Sequence, residues 1–113
     1  AQVAEWIRLT EIPGTSGHED KRGDYVMAEL SKLGLTPQRD DMGNVWAVRK
    51  GTGGGPSIVF AAHMDTVHPL DTPLKVRRED NGTLHAPGII DDTAGVSGQL
   101  QALRALEAAK IQT

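Results

Sequence analysis

The run Ser57-Ile58-Val59-Phe60-Ala61-Ala62 does not alternate in polarity, and it leads directly into His63-Met64-Asp65. A strand with one wet face alternates polar and apolar residues, so a run of this kind predicts a central strand covered on both faces. The chain must then supply layers on either side, which predicts an α/β fold with helices packed on a mixed, mainly parallel central sheet. Ligands in that class gather at the carboxyl ends of the central strands. His63 stands at that end.

A histidine and an aspartate two residues apart on an extended chain point to the same face. Asp65 can therefore hold one imidazole nitrogen of His63 while the other faces a metal, the carboxylate-histidine-zinc arrangement. Asp91, 28 residues after His63 in the segment Gly88-Ile89-Ile90-Asp91-Asp92, enters a helix-like stretch and offers a carboxylate able to bridge two ions. Asp92 or Thr93 is the expected helix cap, which leaves Asp91 to coordinate. Each residue also has a plainer reading, His63 as a hydrogen-bonded structural histidine and the aspartates as simple caps. The combination points to a metal site. The chain has no cysteine, so any metal must be held by histidine and carboxylate.

Val3, Trp6, Ile7 and Thr10 recur at helical spacing before Ile12-Pro13-Gly14 and predict a short first helix. Ser16-Gly17-His18-Glu19 has the serine and glutamate of a capping box, and Val26, Leu30 and Leu33 form a second helical stripe that Gly34 ends. The segments 35–39 and 44–49 flank Asp40-Asp41-Met42-Gly43, and 75–79 and 83–86 flank Asp80-Asn81-Gly82, predicting two antiparallel hairpins. Gly51-Thr52-Gly53-Gly54-Gly55-Pro56 precedes a strand pattern and lacks a following lysine with serine or threonine, so it reads as a connection and not as a phosphate loop. Val96, Leu100, Leu103 and Leu106 predict a last helix, with Gly95 and Gly98 allowing close approach to the sheet.

The 113 residues suit one domain. Twelve basic and fifteen acidic side chains give a net charge of -3, which provides no basic field for nucleic acid or an anionic membrane. No apolar stretch approaches the roughly 20 residues of a membrane span, and Ala1-Gln2-Val3-Ala4-Glu5 lacks the pattern of an export signal. A cytoplasmic location is the expectation. His18, His68 and His85 read as surface or turn residues, and Trp6 and Trp46 as core or boundary fillers.

Ser16-Gly17-His18-Glu19, Asp41-Met42-Gly43-Asn44-Val45, Ala62-His63-Met64-Asp65-Thr66-Val67 and Gly88-Ile89-Ile90-Asp91-Asp92-Thr93-Ala94-Gly95, in this order, resemble the amino-terminal portion of the M20 family of zinc metallopeptidases. That family includes tripeptide aminopeptidases, glutamate carboxypeptidases and acylamino-acid deacylases. The resemblance implies that residues 1–113 are the amino-terminal part of a single catalytic domain, without the inserted smaller domain and the remaining catalytic part. It makes His63 a terminal ligand of one zinc, Asp65 the catalytic residue that orients it, and Asp91 the carboxylate bridging both zincs, and it implies a cis peptide after Asp91. The implied chemistry is hydrolysis of a peptide or N-acyl amide by water activated between two Zn2+ ions, for which Co2+ or Mn2+ can substitute, with a glutamate as base.

The sequence departs from that pattern in two ways. Thr93 replaces a residue that is often lysine in relatives, a difference with no evident consequence in the sequence. No adjacent glutamate pair is present, so the base and several ligands of the family are missing, and a zinc would find fewer than the roughly three protein ligands of a catalytic site. The expectation is an inactive chain with weak or absent zinc binding, and with apolar surface that promotes self-association. Two alternatives stand beside it: a related two-zinc aminopeptidase family of the same fold, and a non-catalytic module used in assembly.

Overall fold

The computed structural model describes residues 2–113. The elements are helix α1 (Gln2–Glu11), helix α2 (Asp20–Lys32), strands β1 (Gln38–Arg39) and β2 (Val45–Trp46), strands β3 (Arg77–Arg78) and β4 (Leu84–His85), and helix α3 (Thr93–Ala108). The fold is mixed α/β. Three helices share one core of Leu9, Val26, Leu30, Val96 and Leu100, against which Tyr25, Leu35, Val45, Ala62, Met64 and Leu103 pack.

The buried face of α1 differs from the predicted stripe. Leu9 is 1% exposed whereas Val3 is 46% exposed, because the helix turns Glu5 inward. Arg104 of α3 donates to both carboxylate oxygens of Glu5, at 2.6 and 2.7 Å, and its Nη2 also reaches Glu29 of α2 at 2.6 Å. Gln101 donates to Glu5 as well. One buried carboxylate thus joins α1 to α3, and the arginine extends the link to α2. A paired, hydrogen-bonded charge is the form in which the interior tolerates ionised groups.

Helix α2 ends as its sequence predicts. Gly34 has φ +77°, its N–H donates to Ser31 O at 2.9 Å, and the Leu35 N–H donates to Leu30 O at 3.2 Å, the paired bonds of a Schellman cap. The start of α2 corrects the expected capping box. The residue preceding the helix is Glu19, with no side-chain cap, and Glu19 Oε1 accepts from Gly17 N at 2.7 Å. Ser16 is engaged elsewhere.

Both hairpins form where expected, with Gln38 opposite Trp46 and Arg39 opposite Val45 in the first, and Arg77 opposite His85 and Arg78 opposite Leu84 in the second. The central parallel sheet does not. Among the described residues the only parallel pairing is the isolated bridge between Thr15 and Thr66, and Ile58, Val59 and Phe60 are 76%, 86% and 77% exposed. No main-chain hydrogen bond engages residues 57–62 among those described. An extended segment becomes a strand only when a neighbour supplies complementary donors and acceptors, and no other described segment pairs with this one through its main chain. Gly98 likewise faces open space, not a sheet, whereas a Cβ at Gly95 would meet the Asp92 carboxylate.

Candidate metal centre

The extended segment 57–62 ends at His63, and the turn into α3 brings Asp91 and Asp92 up to it. Asp92 caps α3, its Oδ1 accepting from Gly95 N at 3.1 Å, while its Oδ2 accepts from the main-chain N–H of His63 at 3.3 Å. Of the two expected caps, Asp92 is the one that bonds the helix end, and Asp91 is left free of it. The Asp91–Asp92 peptide is cis, as the resemblance implies.

The His63 ring lies between two carboxylates. Nδ1 is 3.0 Å from Asp65 Oδ1 and Nε2 is 2.8 Å from Asp91 Oδ1. Asp65 therefore takes one ring nitrogen and Asp91 the other. Loss of hydration lowers the pKa of His63, but hydrogen bonds and charge from Asp65 and Asp91 outweigh it and raise the pKa above the ordinary imidazole value. The Asp65 carboxyl is held below its usual range, first by the hydrogen bond from Ser16, against partial desolvation, and then by His63.

The donor set suits a borderline metal ion: one imidazole nitrogen and one carboxylate oxygen, with the second carboxylate behind the ring. The number of donors is smaller than a closed cage requires. Among the described residues no group of three or more histidine, aspartate or glutamate side chains is placed to hold an ion; His63 and Asp91 meet as a pair. The side chain of Asp91 is 84% exposed, so this pair is open to solvent.

Sequence reasoning missed the residues beneath the site. Ser16 Oγ donates to Asp65 Oδ2 at 2.5 Å. Arg22 is 1% exposed, and it donates to Ile12 O at 2.8 Å and Met64 O at 2.7 Å. Burial lowers the pKa of the Arg22 guanidinium, partly offset by the charge of Asp65. The Thr93 hydroxyl, the other expected cap of α3, is instead buried 2.8 Å from that of Thr10 and donates to Gly88 O at 3.0 Å. Trp6 Nε1 donates to Ile89 O at 2.7 Å. Together Trp6 and Thr93 fasten the 88–91 turn to α1.

The main-chain carbonyl of His68 accepts from Thr15 Oγ1 at 2.7 Å, its ring unused in that bond. His85 is 3.1 Å from Glu79 in the second hairpin. A cavity of about 240 Å³ is lined by Thr66, Val67, His68, Gly88, Ile90 and Asp91, among others. No helix among the described residues is long and apolar enough to cross a membrane.

Residues 59–113 match the family model described as Peptidase family M20/M25/M40. A Pyrococcus furiosus protein named as a LysW-lysine/LysW-ornithine hydrolase is 38% identical over 84 residues, covering 74% of this chain and 24% of that protein. The glutamyl aminopeptidase of Lactococcus lactis subsp. cremoris is 40% identical over 68 residues, 59% of this chain and 19% of its own length. The crystal structure of a tripeptidase from Staphylococcus aureus subsp. aureus Mu50 superposes with a TM-score of 0.85 at 23% identity, covering 98% of this chain and 33% of that one. That likeness concerns the fold. The chain spans about a quarter of the length of the first of these relatives, 24%. None of these matches favours the related aminopeptidase family or a non-catalytic module.

Proposed function

Because this chain belongs to peptidase family M20/M25/M40, hydrolases of peptide and amide bonds, we propose that it is the amino-terminal part of the catalytic domain of a two-zinc metallohydrolase. Its substrates are peptides or N-acyl amino acids. The observation that supports the reading is the His63 ring, with Nδ1 on Asp65 at 3.0 Å and Nε2 directed at Asp91 at 2.8 Å. His63 and Asp91 would hold the metal and Asp65 would orient the imidazole. Zinc supplies Lewis acidity when bound, polarising the amide carbonyl and lowering the pKa of water. The part of this chain is to fix the direction of one nitrogen and one carboxylate, and to keep the Asp91 carboxylate out of the α3 cap by giving that task to Asp92.

Two protein donors are fewer than a catalytic zinc requires, so the 113-residue chain alone would bind zinc weakly and hydrolyse nothing. The exposed Ile58-Val59-Phe60 segment, with unpaired main-chain groups, supports self-association of the isolated chain.

Calorimetric zinc titration of the chain beside a His63→Ala, Asp91→Ala double variant tests the assignment, since a genuine site releases protons on binding. Weak binding by the parent that disappears in the variant is expected. Equal heats from both proteins would sink the metal assignment. Clear dipeptide turnover by the purified chain would refute the reading of it as catalytically incomplete.

A further inference from the structure

Ser16 stands three residues before Glu19, the spacing of a capping box, yet α2 begins at Asp20 and its first turn carries no side-chain cap. The hydroxyl is thus released from the local task that its sequence position suggests. It donates instead to Asp65 Oδ2 at 2.5 Å, while Asp65 Oδ1 faces His63 Nδ1 at 3.0 Å. A carboxylate engaged at only one oxygen can swing about its Cβ–Cγ bond. Engagement of both oxygens by donors from different segments fixes its plane.

The main chain supports the same join. Ser16 N donates to Thr66 O at 3.1 Å and Thr66 N donates to Gly14 O at 2.7 Å, so 14–16 and 66 form a short parallel rung beside Asp65. On the other side of the loop, Arg22 holds the carbonyl of Met64, the residue between His63 and Asp65, at 2.7 Å. Gly14 leaves room for this arginine, because a Cβ there would lie 2.5 Å from Arg22 Cδ and Nε. The His63-Met64-Asp65 segment is held at its middle carbonyl and at its aspartate, both times by the stretch leading into and opening α2.

We infer that Ser16, supported by Arg22, is a positioning residue that fixes the plane of the Asp65 carboxylate and thereby the orientation of the His63 ring. The purpose of that orientation rests on the metal reading above; the geometry itself does not. Ser16 touches neither substrate nor metal in this scheme, and it acts only through Asp65.

The test is nuclear magnetic resonance of the metal-free chain, following the His63 Nδ1 proton, which is visible only while a stable hydrogen bond protects it from exchange with water. The parent and Ser16→Thr, which keeps the hydroxyl, are expected to show this resonance, and Ser16→Ala to lose it, with all three sharing the same urea midpoint. The inference is overturned if Ser16→Ala keeps the resonance, if the parent never shows it, if threonine fails to restore it, or if its loss coincides with a lowered midpoint. No arm contains metal, so a null zinc titration beside this pattern would remove the metal reading and leave the positioning role standing.

Discussion

Arg104 donates through Nη1 and Nη2 to the two oxygens of Glu5, at 2.6 and 2.7 Å, although the residues lie on the first and last helices. The carboxylate is almost wholly buried, at 4% side-chain exposure, and the guanidinium keeps 30%. Loss of the arginine alone strands a charge in the interior, whereas loss of both partners does not. Arg104→Met is therefore expected to cost about 3 kcal/mol, and the Glu5→Met, Arg104→Met pair less than the single change. Urea unfolding of the full double-mutant cycle measures the difference. A double variant as unstable as the sum of the two singles would remove the argument.

Tyr25 is the chain's one tyrosine, so the ultraviolet absorbance of phenolate reports it alone. Burial, followed by the charges of Glu5 and Glu29, raises its pKa above the ordinary phenol value, against the opposing pull of Arg8 and Arg104. Titration of the folded protein should have a midpoint above about 10, returning toward that value in urea. The folded state holds this proton more tightly than the unfolded one, so the associated stability is complete below about pH 10 and is lost as pH rises through the folded pKa. A midpoint at or below the unfolded value would contradict this.

Asp92→Ala removes the cap of α3 and the acceptor for the His63 N–H together. The expected cost is about 1 kcal/mol for the cap, with faster hydrogen exchange at His63 and Gly95. Exchange changed at Gly95 alone would show that the bond to His63 carries no weight.

Phe60→Lys places a charge on the exposed apolar segment, where edge charges block pairing between chains. Light scattering should find the parent above monomer mass at high concentration and the variant closer to it. A strictly monomeric parent would defeat this prediction.

The legible parts of the sequence were those set by short-range chemistry. Gly34 as a left-handed cap, the Asn81-Gly82 turn and the helical stripe Val96–Leu100 each depend on residues a few positions apart, and each formed where the sequence placed it. The pairing of His63 with Asp65 was also legible, because two residues on an extended chain share a face. What stayed hidden depends on distant partners. Ser16 looked like a cap because its local spacing fits one, while its actual acceptor lies 49 residues away. Glu5 lay outside the apolar stripe expected of α1, and its buried place depends on Arg104, 99 residues away. The segment 57–62 has the composition of a central strand, but strand formation requires a neighbour, and apolar composition supplies none.

Trp6 gives the molecule an optical handle. Its indole N–H is bonded to Ile89 O at 2.7 Å, two residues before Asp91, so its emission is sensitive to any displacement of the turn that carries that carboxylate. Trp46 lies in the first hairpin and is 47% exposed, so replacing it with phenylalanine would leave a single emitter beside the region of interest. Opening of the 88–91 turn by a ligand, a partner or denaturant could then be followed in real time without an attached label.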